Sequence, residues 1–222
     1  VFEALTSEER QAFMTIYNDY FYERHNEMWG ALAYRKLSMV LERTNMLVTA
    51  EDLGVLPDCV QPTLDALRIL TLEVQTLPKQ HGLEFAHLEA NPYLSVATIS
   101  THDMPPLRLW WQERPEAAQH YYRDRMQKEG RPPVALTTTL AEEIVSRHLY
   151  SPSMLCLLSL QDWLAVDAEM RNPDPRSERI NIPGDCYNRW SYRMHVNIEQ
   201  LIADEQLNKK LRTMVERSKR NV

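Results

Sequence analysis

The sequence predicts a helix-rich α/β fold in which about four βα units follow a long leading helix. Two observations carry this. Four short β-compatible runs alternate along the chain with segments of helical periodicity, the pattern of βα units around a parallel sheet. Three of those runs end in polar or charged clusters, and in α/β folds the C-terminal strand ends and the loops after them form the active-site rim.

Taken in order, Thr6 or Ser7 followed by Glu8 and Glu9 reads as a helix N-terminus with acidic residues in its first turn. Apolar and aromatic residues then recur at Phe13, Ile16, Tyr17, Tyr20, Phe21, Met28, Leu32, Leu37, Val40 and Leu41. That spacing fits one long helix or two joined near Gly30, with Tyr17, Tyr20, Phe21 and Trp29 in the core. Residues 46–50 are short, apolar and β-compatible, and run into Glu51 and Asp52, so they read as a buried strand with polar residues at its end. A helix over 58–67 and a second β-compatible run over 69–75 follow. The third run, 94–99, ends in Ser100, Thr101, His102 and Asp103. Helical patterns then occupy 107–112, 115–128 and 139–149, and the fourth run, 153–160, ends in Gln161 and Asp162. Residues 174–188 are rich in Pro, Asn and Asp and read as a loop, before two closing helices over 189–203 and 205–219. The organisation is therefore a leading helical segment (1–45), βα units (46–170), and a loop with closing helices (171–222) in a single partial domain. Four βα units are half of a (β/α)8 barrel.

Composition narrows the function classes. In 222 residues, 44% hydrophobic and 25% charged side chains are ordinary for a globular protein with a real core. A net charge of −6 argues against a nucleic acid as the main partner, because phosphate binding needs a clustered positive surface. The basic tail over 209–220 carries Leu211, Met214 and Val215 and reads as the end of an amphipathic helix. Cys59, Cys156 and Cys186 have no CxxC or Cys/His spacing, so neither a disulfide framework nor a metal site is indicated, and reduced thiols in a cytoplasmic protein are expected. The longest apolar run, 154–158, is far too short to cross a membrane, and no signal-peptide pattern is present.

Glu51 and Asp103, at the ends of different strands, make a credible acid/base pair. Glycosyl transfer needs one protonated carboxyl to push off the leaving oxygen and other carboxylates to steady an oxocarbenium-like transition state. Neighbouring negative charge and partial burial would raise Glu51 for the acid role, and His102 could hydrogen-bond sugar hydroxyls. The bland readings stand beside these. Glu51-Asp52 alone could be a turn with a helix cap, Asp162 could cap the helix after it, and Trp110 and Trp111 read as packing residues before sugar platforms.

The ordered set says more than any single motif. Ala50-Glu51-Asp52-Leu53-Gly54, Thr101-His102-Asp103, Gln161-Asp162, Arg179-Ile180-Asn181-Ile182-Pro183-Gly184 and Asn188-Arg189-Trp190-Ser191-Tyr192-Arg193-Met194 occur in this order. Together they resemble the EDLG, THDN, QD-LG, RMNxPG and GNWxWR motifs of glycoside hydrolase family 77, the 4-α-glucanotransferases (amylomaltases, or disproportionating enzymes). The branch of plant cytosolic disproportionating enzymes and their bacterial relatives is most similar, through Tyr17-Asn18-Asp19-Tyr20-Phe21 and the stretch over 72–78.

The resemblance implies the C-terminal half of a TIM barrel and a retaining transfer of α-1,4-glucan segments between maltooligosaccharides or glucans, without metal, nucleotide or other cofactor. It implies Glu51 as general acid/base, Asp103 as transition-state stabiliser, and His102, Asn181 and Asp52 as substrate-binding residues. In the family the nucleophile is an Asp of an RIDH-type motif on the strand before the long helix, and no such motif occurs in this sequence. The chain is therefore expected to be inactive alone, to have the missing N-terminal half of the barrel as its natural partner, and to form a homodimer through exposed strand edges or depart from the parent geometry. Met104-Pro105-Pro106 departs from the polar residues common after the family's HD. A non-catalytic glucan-binding module and a helical interaction domain are the alternatives.

Overall fold

The structure of the chain, a computed structural model, describes residues 2–51 and 56–220. It divides into two compact units, residues 1–72 and 73–222.

In the first unit a capping box starts α1 (Ser7–Asn18). The Thr6 side chain accepts the Glu9 N–H, and the Glu9 carboxylate takes the Thr6 N–H at 2.8 Å, so two N–H groups that a helix start leaves unpaired are paired reciprocally. The helix runs on through a π-helical turn, Asp19–Arg24, into α2 (His25–Leu41). Gly30 does not interrupt it. Instead Gly30 lets α2 meet the segment leading into α3 (Val60–Leu67), since a Cβ there would stand 3.4 Å from the Cys59 Cβ. The Cys59 N–H also donates to Asn26 Oδ1 at 3.2 Å.

Two expectations are corrected in this unit. Tyr17, Tyr20, Phe21 and Trp29 are not core residues but stand 37%, 50%, 46% and 45% exposed. Periodicity puts rings on one face but does not supply a layer to cover them. Here they mostly meet one another, in a ladder from Tyr17 to Phe21 (4.7 Å between centroids), Phe21 to His25 (6.1 Å) and His25 to Trp29 (3.9 Å). Residues 46–50 are not a buried strand, for Met46 and Leu47 are 77% and 56% exposed. The run makes one parallel bridge, Thr49 to Leu70, through Ala50 N–H to the Leu70 carbonyl and Leu70 N–H to the Val48 carbonyl. Two hydrogen bonds hold it there without extending into a ladder.

β1 (Thr71–Val74), in which the division between units falls, belongs to a three-stranded sheet of order β1-β2-β3. β2 (Ser95–Thr98) is buried along its length and pairs in parallel with β3 (Leu155–Cys156), Val96 opposite Leu155 and Ala97 opposite Cys156. Between them come α4 (Leu107–Glu113), α5 (Pro115–His120), a second π-helical turn at Tyr121–Arg125, and α6 (Thr138–Leu149). After β3 follow α7 (Leu160–Leu164), a 3-10 turn at Pro175–Glu178, α8 (Ile198–Ala203) and α9 (Glu205–Arg217). The core of this second unit joins Trp111, Tyr121, Ile144, Val145, Leu164 and Leu207. Two of its largest buried side chains have their polar atoms paired. Trp111 Nε1 donates to the Pro133 carbonyl at 2.9 Å, and the Tyr121 hydroxyl donates to Gln75 Oε1 at 2.5 Å, as burial of such groups demands.

Among the described residues the sheet thus has three strands, not four, and two further boundaries are corrected. The fourth run shortens to β3, and Gln161 and Asp162 lie on a helix instead of at a strand end. Ser159 sets this, its hydroxyl accepting the Asp162 N–H at 3.1 Å as an N-cap. Asp162 accordingly does not cap its own helix. The helix expected over 189–203 begins only at Ile198, where Asn197 and Gln200 form a capping box. α9 has its own cap, the Asp204 side chain accepting the Leu207 N–H at 2.9 Å. Asp204→Ala is expected to cost about 1 kcal/mol in urea unfolding, and an unchanged midpoint would show that this cap contributes nothing.

Candidate functional site

The two loops that carry site candidates in the second unit are each shaped by their sequence. After β2, the chain turns at Thr101, whose carbonyl accepts the Met104 N–H at 3.1 Å and whose hydroxyl accepts the Asp103 N–H at 3.3 Å. Pro105 and Pro106 then end the turn and α4 starts at Leu107. This leaves His102 and Asp103 half exposed, with His102 Nε2 3.5 Å from Asp103 Oδ1. The second loop turns at Ile182-Pro183-Gly184-Asp185. The Asp185 N–H reaches the Ile182 carbonyl at 3.1 Å and Gly184 sits at φ +85°, a turn whose third position favours glycine and whose second favours proline. The turn leaves Asn181 facing the first loop.

There the two loops meet. Asn181 Nδ2 donates to Asp103 Oδ1 at 2.5 Å, and Asn188 Nδ2 donates to Asn181 Oδ1 at 2.6 Å. The relay fixes the Asn181 amide with its N–H side on the carboxylate. The exposed Trp190 ring lies 5.0 Å from the His102 ring, tilted by 48°. Beside this cluster a cleft of about 260 Å³ is lined by Ser100, Thr101, His102, Met104, Gln161 and Ile180, among others. That is below the ~300–1,000 Å³ of a whole small-molecule site, so the cleft suits one end of a longer groove.

The loops are anchored by charged groups underneath. Asp162, fully buried, spans the base of the first loop: Oδ2 accepts the Ser100 hydroxyl at 2.6 Å and Oδ1 accepts the Leu107 N–H at 2.8 Å. Burial raises its pKa, and these hydrogen bonds oppose the rise. Arg108 and Glu178 form a buried ion pair at 3.0 Å, and Arg108 Nη1 also donates to the Asn172 carbonyl at 2.7 Å. Burial pushes the Glu178 carboxyl up to about 7 against the opposing pull of Arg108, and lowers Arg108 from its ordinary value.

Of the residues expected at the site, the structure brings His102, Asp103 and Asn181 together. Glu51 is exposed and belongs to the first unit, and Asp52 lies outside the described residues. Of the two tryptophans, Trp111 is buried in the core, as packing predicts, and Trp110 is half-buried. Sequence reasoning missed Arg108 and Glu178. The signal was there for Arg108, which stands between Leu107 and Leu109 in an otherwise apolar stretch, and a charge in such a place needs a partner. Among the described residues no group of three or more His, Cys, Asp or Glu side chains could hold a metal ion, and no helix is long and apolar enough to cross a membrane.

Comparison with known proteins identifies the family. Residues 4–199 match the sequence profile of glycoside hydrolase family 77, described as 4-alpha-glucanotransferase. The chain is 30% identical to the 4-alpha-glucanotransferase DPE2 of Oryza sativa subsp. japonica over 220 residues, which is 99% of this chain and 23% of that protein. It is 32% identical to the 4-alpha-glucanotransferase of Chlamydia muridarum over 182 residues, 80% of this chain and 34% of that one. It thus spans about a quarter to a third of the length of these relatives. In fold it is similar to an amylomaltase from Streptococcus agalactiae solved in complex with acarbose, with a TM-score of 0.61 at 16% identity over 86% of this chain and 35% of that one. An amylomaltase from Corynebacterium glutamicum gives 0.57 at 21% identity, over 81% and 30%. These relatives and the motif-bearing loops that meet at Asp103 lead to one statement: the chain belongs to glycoside hydrolase family 77, the 4-alpha-glucanotransferases.

Proposed function

We propose that the chain is the C-terminal half of a (β/α)8 barrel, part of a cytoplasmic 4-α-glucanotransferase that moves α-1,4-glucan segments between maltooligosaccharides. The observation that carries the reading is the Asn188–Asn181–Asp103 relay, which gives a carboxylate a fixed hydrogen-bond partner beside a cleft that its neighbours His102 and Met104 line. In this reading Asp103 grips hydroxyls of the distorted donor sugar and becomes more strongly bound as positive charge builds on the ring. His102, Asn181 and Asp52 contact the sugar, and Trp190 offers it an apolar face. Glu51 gives its proton to the leaving glycosidic oxygen, then takes one from the acceptor hydroxyl. Between those steps the donor glucosyl carbon is bonded to a carboxylate nucleophile. The sequence has no RIDH-type motif, so that carboxylate is supplied by the rest of the barrel in a longer protein. The exposed aromatic ladder of α1 and α2 is the surface we assign to that partner or, in the isolated chain, to a second copy.

Accordingly the 222-residue chain is expected to bind glucan without transferring it. In glycogen affinity gels it is retarded and Asp103→Ala is retarded less, while maltotriose incubated with it yields no maltose or longer products. Transfer above a Glu51→Gln control would sink the inactivity reading. Equal mobility with and without glycogen would sink the glucan site.

A further inference from the structure

We infer that Glu178 is a positioning residue, whose buried ion pair with Arg108 holds the 179–184 loop so that the Asn181 amide meets the Asp103 carboxylate. The inference rests on the reading of Asp103 as a sugar-gripping group. Its geometric part stands independently of that reading.

The strapping of the loop is visible bond by bond. Two adjacent residues just before Asn181 reach back to the two ends of α4. Glu178 pairs with Arg108 at 3.0 Å near the helix start, and Arg179 Nη1 pairs with Glu113 at the helix end, at 3.0 and 3.2 Å to its two oxygens. The backbone is fixed at the same place, with Gln161 Nε2 donating to the Glu178 carbonyl at 3.1 Å. α4 is itself the element that begins where the Asp103 loop ends, at Leu107. The loop carrying Asn181 is therefore strapped to the helix on which the Asp103 loop is mounted, three residues before the two side chains meet.

The two ion pairs differ in kind. The Arg179–Glu113 pair is 24% and 40% exposed, whereas Arg108 and Glu178 are 8% and 1% exposed. An exposed pair is screened and flexible. A buried one is directional, and its members have no water to turn to. Desolvation makes such a pair a poor source of stability, yet it holds one arrangement against others. The charged and titratable groups around Glu178 are Arg108 on α4, Asp162 on α7, Arg171 and Asp174 in the preceding loop, and Tyr192 beyond it. With its carboxyl at about 7, Glu178 changes charge near neutral pH, and the strap changes with it from a neutral-acid contact to an ion pair.

The test uses two-dimensional NMR of side-chain amides on the 222-residue chain, with the Asn181 amide identified by its loss in Asn181→Asp. Glu178→Gln is expected to move that amide pair toward the position of a free asparagine and to speed its hydrogen exchange about tenfold, the worth of one charge-assisted hydrogen bond. Asp204→Ala, which loosens α9, is expected to leave it in place. In a His102→Gln chain the same resonance is expected to move between about pH 6 and about pH 8, and not to move once Glu178→Gln is added. For maltoheptaose, Glu178→Gln weakens binding and adds nothing further in an Asn181→Ala background, because it acts through that amide.

An Asn181 amide unmoved by both the substitution and the pH change overturns the proposal. If Glu178→Gln does not fold, Arg108→Met, which removes the other half of the pair, replaces it, and the pH series is run on a His102→Gln chain, since His102 beside Asp103 is itself titratable. Loss of maltoheptaose affinity that adds to that of Asn181→Ala also overturns it, as general loosening would do that. A moved amide in a chain that never binds maltoheptaose supports the positioning role and overturns the glucan reading instead.

Discussion

Asp162→Ala is expected to lower the stability of the second unit by about 4 kcal/mol, the sum of two buried donors left without an acceptor. Those donors are the Ser100 hydroxyl and the Leu107 N–H, which sit at opposite ends of the loop bearing His102 and Asp103. Leu107 N–H is also one of the groups that the start of α4 leaves unpaired, and Pro106 provides no side-chain cap for it. The effect should therefore reach beyond local stability to loosen the Asp103 loop. Asp162→Asn is expected to be milder, about 1 to 2 kcal/mol. Its carboxamide oxygen still accepts the Leu107 N–H, and the Ser100 hydroxyl can rotate to accept from the new amide. Urea unfolding of both variants measures the two numbers. A cost near zero for alanine would mean that the loop is held by its prolines and not by the carboxylate.

Two buried titrating groups are expected to give the chain opposing pH slopes that separate only in variants. Burial raises Glu178 from 4.5 to about 7 and lowers His148 from 6.5 to about 4. For Glu178 the folded value lies above the unfolded one, so its stabilising contribution is full below about pH 4.5 and is lost as pH rises through about 7. For His148 the folded value lies below, so its contribution is present above about pH 6.5 and is lost as pH falls through about 4. Each is worth on the order of 3 kcal/mol, and between about pH 4.5 and 6.5 they nearly cancel. Glu178→Gln should match the unaltered chain in acid and exceed it by about 3 kcal/mol near pH 8. His148→Phe removes the ring whose Nδ1 bonds the Ile144 carbonyl at 2.8 Å, and should gain on the unaltered chain as pH falls. Denaturant midpoints across this range check the signs, and curves that run parallel at all pH values would refute both.

How much of this was legible in the sequence depends on what carried each feature. The long leading helix, α3, β1, β2, α4, α6 and α9 follow from periodicity and local caps, which are written in neighbouring residues. What periodicity could not supply was cover. The rings at Tyr17, Tyr20, Phe21 and Trp29 obey helical spacing but stay exposed, because burial depends on elements elsewhere in the chain. Residues 46–50 have strand chemistry, yet they pair through one bridge. At the site, His102, Asp103 and Asn181 were legible as ordered motifs. Arg108 and Glu178 were not, since a buried ion pair between residues 70 apart in sequence leaves no local pattern beyond a charge in an apolar stretch.

The π-helical turn at Asp19–Arg24 makes the leading helix unequal along its length in its response to insertions and deletions. An α-helix advances ~100° per residue, so losing one residue anywhere in α1 or α2 would swing everything beyond it by that angle and break the row of rings from Phe13 to Trp29. Within 19–24 the wider turn already holds an extra residue. One residue can leave there, the turn can tighten to α, and the rings on either side stay in file. A one-residue deletion in this chain is therefore tolerated best at the middle of its leading helix, where the outline of a helix would suggest it is most constrained.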